Sequence, residues 1–277
     1  MISPFRLFNY TVLGLALGSL WTGNVTKIQA ASHIPDSWCN TPPSYTLRGD
    51  YPRGVVLPHH TLAAQLWTPV WEQWAQYPPQ RIIIFSPNHN STSSHDIVST
   101  TSQNGTAKYP LLLDEELITQ LKTANLIGTD FATVATDQGV SAFVPELQKN
   151  FPTTKVVPLL FKKNTSLKKI KALVAALAKN ANQETVYVAS VDFVHDLPPT
   201  IAWQNDQKTI QLLQTGQWPK LQGLSSSYLD APTALIAFGY LMQTQYLEGR
   251  LVAHAHAGQF LNDCYTPTTS YQVWSFE

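Results

Sequence analysis

The feature that most constrains this chain is an alternation of strand-length apolar runs with helical patterns. Gly54–Leu57, Arg81–Phe85, Lys155–Phe161, Val186–Ser190, Arg250–Ala255 and Tyr271–Phe276 are rich in Val, Ile, Leu and aromatic residues and have the length of β-strands. Between them, Leu113, Leu117, Leu121 and Ala124 mark one face of a helix. Ser166 is placed to cap a second, in which Leu167, Ile170, Val174 and Leu177 keep helical spacing. Ile210 and Leu213 suggest a third, and Ala231–Gln243 a fourth with Pro232 in its first turn. Strands alternating with helices imply an α/β fold, a central mostly parallel or mixed sheet flanked by helices on both faces. No internal repeat or interior linker divides it, so residues 51–277 are expected to form a single domain.

Composition narrows the classes of function. The chain of 277 residues has 18 Lys+Arg against 18 Asp+Glu, and only 13% of its residues are charged, about half the usual share. That excludes a disordered chain or a coiled coil, and it argues against nucleic acid as a partner, since phosphate binding needs surplus basic residues. The N-terminus joins a basic start at Arg6, an uncharged stretch from Leu7 to Thr26 and small residues at Ala30 and Ala31. Residues 1–30 are therefore expected to be a signal peptide or an N-terminal anchor, and residues 31–50 a tether. The expected location is exported, periplasmic or extracellular, with membrane anchoring through residues 7–26 as the alternative. Outside the cytoplasm, Cys39 and Cys264 invite a disulfide; the competing reading makes Cys264 a metal ligand or a reactive thiol.

Ligands of α/β folds sit beyond the carboxyl ends of the strands. There this chain places His59 and His60 after the first run, His89 after the second, Asp192 and His195 after the fourth, and His254 and His256 in and just after the fifth. Imidazole is the commonest metal ligand and the usual acid/base near neutral pH. Two histidines from different strands with one further donor make a facial site with open positions. Strand alternation turns His60 away from His59. His33 and His95 are expected to be ordinary surface or structural residues.

Pro58-His59, Ser86-Pro87-Asn88-His89 and Ser190-Val191-Asp192-Phe193-Val194-His195 resemble, in order, three motifs of the Memo family: a Pro-His-Ala-Gly turn, a Gly-Pro-Ser-His turn and a Ser-Ser-Asp-Phe-x-His segment. Bacterial members are called AmmeMemoRadiSam system protein B. Thr269-Ser270-Tyr271-Gln272 resembles the family's closing strand, and the similarity runs from about Arg53 to the end. The family is similar in fold to class III extradiol dioxygenases. The resemblance implies that His59 and His89 hold a metal ion, iron(II) first and copper or zinc otherwise. It implies that His195 is the acid/base and Asp192 the acidic residue beside it. The chain departs from the family at Asp137-Gln138-Gly139, where Gln138 stands in the place of a histidine, and an amide is a poor ligand and no proton shuttle. For the third ligand His256, Asp263 and Cys264 compete, His256 ranked first and Cys264 second.

The expectation is thus an exported Memo-like protein holding one transition-metal ion and, if catalytic, a non-haem metal-dependent oxidoreductase acting on a small-molecule substrate. The alternatives are a non-catalytic binding protein on a degenerate Memo scaffold, and a metal-dependent hydrolase. Ligation requires neutral histidine, so metal affinity is expected to fall below about pH 6.5.

Overall fold

The computed structural model describes residue 35 and residues 37–40, 43–47, 51–90, 93–104 and 107–277; residues 1–30, expected to be a leader, and His33 lie outside them. In chain order the strands are β1 (Gly54–Leu57), β2 (Arg81–Pro87), β3 (Ile97–Ser99), β4 (Gln103–Asn104), β5 (Ala107–Lys108), β6 (Gly128–Thr129), β7 (Lys155–Phe161), β8 (Thr185–Ser190), β9 (Gly249–His256) and β10 (Ser270–Phe276). The helices are α1 (Ser37–Asn40), α2 (Thr68–Gln76), α3 (Glu115–Thr123), α4 (Phe131–Thr136), α5 (Gln138–Ser141), α6 (Val144–Asn150), α7 (Leu167–Lys179), α8 (Pro199–Gln214), α9 (Pro232–Thr244) and α10 (Ala257–Leu261).

Eight strands form one mixed sheet in the order β6-β3-β7-β2-β8-β1-β10-β9, and β4 pairs with β5 separately. The centre, β7-β2-β8-β1, is parallel, while β10 runs antiparallel to both β1 and β9. The central strands read as unbroken apolar runs because both of their faces are covered; β1 and β8 are buried at every residue. One cover is α9, which packs on β2, β7 and β8 with α7 beside it. Its buried residues run from Pro232 to Met242 on all sides, as expected of a helix sunk into a core. Ser166 caps α7 as the sequence suggests, accepting a hydrogen bond from the Lys169 N–H.

The short strands β3 and β6, of three and two residues, carry no pattern long enough to read in advance. The run of short helices from Phe131 to Asn150 is broken into three pieces, each below the length at which helical periodicity shows. One of those pieces matters most for the site, as described below.

Chain direction places the candidate residues. β8 lies between β1 and β2, and all three run the same way, so their carboxyl ends open onto a single edge. His59, His89 and the Asp192–His195 turn leave from that edge. At the other end of the sheet, β9 is an outer strand two positions beyond β1, roughly 10 Å away at strand spacing.

Part of the stretch expected to be a tether packs onto the domain. Cys39 is disulfide-bonded to Cys264 across 225 residues of sequence. Trp38 is buried, with its ring 4.7 Å from His256, 4.2 Å from His254 and 4.9 Å from Trp203. Breaking the disulfide, by reduction or by Cys39→Ala with Cys264→Ala, is expected to cost about 2–4 kcal/mol by freeing the ends of a long loop in the unfolded chain. Denaturant unfolding with and without reductant measures this, and an unchanged midpoint would show that the disulfide adds no stability.

Candidate metal centre

Four side chains expected from the sequence meet at the carboxyl edge of β1, β2 and β8, and a fifth stands among them. His59 follows β1 and is 5% exposed; His89 follows β2; Asp192 and His195 follow β8. The fifth is Asp230, two residues ahead of α9, whose N–H donates to the Asp192 carbonyl at 3.1 Å. Asp230 Oδ2 lies 3.1 Å from His59 Nε2, 3.6 Å from His89 Nε2 and 3.8 Å from His195 Nε2. The rings of His59 and His89 are edge to face, with centroids 5.0 Å apart. Asp192 is turned differently. Its Oδ1 accepts the backbone N–H groups of His59 at 3.1 Å and His60 at 3.4 Å, and its Oδ2 lies 3.4 Å from His59 Nε2. It therefore shapes the His59–His60 turn, and its hydrogen bonds do not run to His195.

Both Asp230 carboxylate oxygens and His195 Nε2 are buried without a hydrogen-bond partner among the described residues. A buried carboxylate accepting no well-formed hydrogen bond is costly unless a cation neutralises it. His59, His89 and Asp230 offer ligand atoms within 4.8 Å of one another, and so do Asp192, His195 and Asp230. Two imidazoles and a carboxylate converging on one point fit a divalent transition-metal ion.

Without an ion, the histidines take the cationic role. Burial alone would lower the His59 pKa, but the charges of Asp192 and Asp230 outweigh it and raise it to about 9. Burial likewise opposes protonation of His89, and its contacts with Asp137 and Asp230 lift it to about 10. Asp230 shows the converse: burial pushes it up, while the His59 charge and the contacts of His59 and His89 bring it down to about 2. The Asp192 carboxyl is raised, by burial first and by the neighbouring Asp230 charge, against the opposing charge of His59.

The structure does not bring the expected third ligands to this point. His256 is fully buried, with Nε2 2.6 Å from the Trp38 carbonyl oxygen and Nδ1 3.1 Å from Thr268 Oγ1. Cys264 is bonded to Cys39, and a disulfide sulfur is not a thiolate ligand. Cys39, His256 and Cys264 form a separate group of close donors, on α1, at the end of β9 and in the loop between α10 and β10. Asp263 accepts the Tyr265 N–H at 2.9 Å and closes a turn. His254 pairs with the buried Asp206 at 2.7 Å. His60 turns away as expected, to the Tyr271 hydroxyl at 2.5 Å.

Asp230 was the residue missed, although a signal was present: it is the single acidic residue between Asp206 and Glu248, directly ahead of an apolar helix. The departure segment also reaches the site. Gln138 is exposed, but Asp137 beside it is 1% exposed and its Oδ1 lies 3.0 Å from His89 Nδ1.

No curated protein matches this sequence. Among solved structures, the chain is similar to the uncharacterized protein JW3007 from Escherichia coli K12, at 15% identity and a TM-score of 0.52, over 79% of this chain and 98% of that one. That likeness concerns the fold. The family model described as Memo-like protein matches residues 27–260, which spans the sheet through β9, both histidine turns, the Asp192–His195 segment and Asp230. The chain belongs to the Memo-like protein family.

Proposed function

We propose that this protein binds one transition-metal ion, iron(II) before copper or zinc, through Nε2 of His59, Nε2 of His89 and the Asp230 carboxylate. The observation that carries the reading is the buried Asp230 carboxylate, on which the imidazole nitrogens of His59 and His89 converge at 3.1 and 3.6 Å. Two histidines and one carboxylate are the donor set of non-haem iron(II) sites with open coordination positions. A bound iron(II) ion would supply redox and Lewis-acid chemistry.

The residues around it divide the remaining work. His59 and Asp230 form the buried floor, while His89 and His195 are about one-third exposed and mark the side from which a small molecule enters. His195, with Nε2 unbonded and 3.8 Å from Asp230, is positioned to give or take a substrate proton. Asp192 holds the His59–His60 turn and adds negative charge that favours the cation. The reading extends to an exported, oxidising location, supported by the Cys39–Cys264 disulfide.

A second reading, metal binding without catalysis, is favoured by the exposed glutamine at position 138 where the family has histidine. Elemental analysis of anaerobically purified protein, followed by oxygen uptake against a panel of catechols, tests both. One ion per chain with metal-dependent oxygen uptake is the expected result. Stoichiometric metal without turnover would favour the second reading, metal-dependent hydrolysis without oxygen uptake would favour a hydrolase, and protein unable to take up any ion would overturn the metal site.

A further inference from the structure

His59 and His89 follow different strands, yet the Nδ1 atoms of both lead to the same short piece of chain. From His89 the path is direct: Nδ1 lies 3.0 Å from Asp137 Oδ1, and the His89 backbone N–H donates to Asp137 Oδ2 at 2.9 Å. From His59 it passes through one hydroxyl: Nδ1 lies 3.1 Å from Ser190 Oγ, and that hydroxyl donates to the Gly139 carbonyl at 2.6 Å. Asp137 and Gly139 are themselves tied, since the Gly139 N–H donates to Asp137 Oδ1 at 2.9 Å. Asp137 and Ser190 are 1% and 0% exposed, so water does not compete for these bonds.

The hydrogen count then decides which nitrogen of each ring is free. A serine hydroxyl has one hydrogen, and that of Ser190 is committed to the Gly139 carbonyl. Towards His59 it can only accept, so Nδ1 carries the hydrogen and the lone pair of the neutral ring is on Nε2. Asp137 Oδ1 already accepts the Gly139 N–H and Oδ2 the His89 N–H, so the carboxylate faces His89 Nδ1 as an acceptor and imposes the same tautomer. We propose that the Asp137–Gly139 turn is a positioning device for both metal-ligating histidines, acting on His89 through the Asp137 carboxylate and on His59 through the Gly139 carbonyl and Ser190. This rests on the metal site proposed above and adds Asp137, Gly139 and Ser190 to it as positioning residues.

The turn is held at a fixed depth. A Cβ on Gly139 would lie 2.0 Å from Ser86 Oγ on β2 and 3.2 Å from Pro87 Cδ, so a larger residue fits only if the Ser86 side chain or the turn shifts. Movement of the turn would displace both imidazoles together. The segment where Gln138 departs from the family's histidine thus keeps a role that does not depend on that side chain.

The test uses the whole chain, labelled with ¹⁵N-histidine and loaded with zinc(II) as a diamagnetic probe, read by long-range proton–nitrogen NMR correlation and by zinc affinity against a competing chelator. For the wild type, one zinc per chain is expected, with both rings protonated at Nδ1 and bound through Nε2. Asp137→Ala and Ser190→Ala are each expected to weaken zinc binding about 10–100-fold. The first should disturb chiefly the His89 signals and the second the His59 signals. Ser190→Thr, which keeps a hydroxyl, should restore the wild-type pattern, and Gly139→Ala should shift both rings at once. Where Asp137→Ala fails to fold, Asp137→Asn carries the same test, with a smaller loss and a mixture of tautomers at His89. Folded variants that bind zinc as tightly as wild type with unchanged imidazole signals would overturn the positioning role alone. A wild type that takes up no zinc would overturn the metal site beneath it.

Discussion

Asp230→Asn is expected to lower metal affinity by two orders of magnitude or more while leaving the fold in place. The substitution keeps the shape of the side chain but removes the negative charge that stands 3.1 Å from His59 Nε2 and 3.6 Å from His89 Nε2. Removing one partner of a buried charged pair costs about 3–5 kcal/mol, which corresponds to roughly 100-fold or more in an equilibrium constant. The amide oxygen remains, but an amide is a weaker ligand than a carboxylate for a divalent ion. His59→Ala combined with His89→Ala is expected to abolish stoichiometric metal, whereas His256→Ala, changed on the far side of β10, should leave it at one ion per chain. Chelator competition gives the affinity and elemental analysis the stoichiometry. An Asp230→Asn protein that binds as tightly as wild type would remove Asp230 from the ligand set.

The second large effect is the dependence of binding on pH, and the structure moves it from where the sequence alone would put it. An ordinary histidine pKa predicts that affinity fails below about pH 6.5. In the metal-free protein, however, the neighbouring carboxylates outweigh burial and raise His59 to about 9 and His89 to about 10. At pH 7 both rings are therefore protonated, and an incoming ion must displace two protons. Affinity is expected to rise by about 100-fold per pH unit, two protons each giving a factor of ten, between pH 7 and about 9, and to level off near 10. The stability of the metal-free protein has the opposite sign. Both folded pKa values exceed the unfolded value of about 6.5, so the stabilisation is complete below that pH and is lost as pH rises through 9 and 10. Isothermal titrations across this range, with proton release measured in buffers of different ionisation enthalpy, check the first point, and denaturant unfolding of the metal-free protein across the same range checks the second. Release of no protons at pH 7 would show that the rings are neutral before the ion arrives.

The parts of the fold legible in the sequence were those whose burial leaves a long imprint. The four central strands show as apolar runs because each is covered on both faces, and α7 shows because it has one apolar stripe and a serine cap. The strands β3 and β6 and the helices α4 to α6 were not legible, since two to seven residues hold too little pattern. At the site, His59, His89, Asp192 and His195 were found because each follows a recognisable strand within a few residues. Asp230 follows no strand. Its place is set by α9 entering the core and by the bond from its N–H to the Asp192 carbonyl, a tertiary contact without a local signature. His256 shared the strand-end position of the others, but β9 is an outer strand, and the strap brought by the Cys39–Cys264 disulfide covers His256 with Trp38. Position along a strand was readable, and strand order was not.

The most direct measurement of the central claim is an anomalous-difference map from crystals of the iron-loaded protein, collected at the iron edge. A single peak bonded to His59 Nε2, His89 Nε2 and the Asp230 carboxylate is the expected result. A peak beside Cys39, His256 and Cys264, or no peak within reach of Asp230, would contradict it.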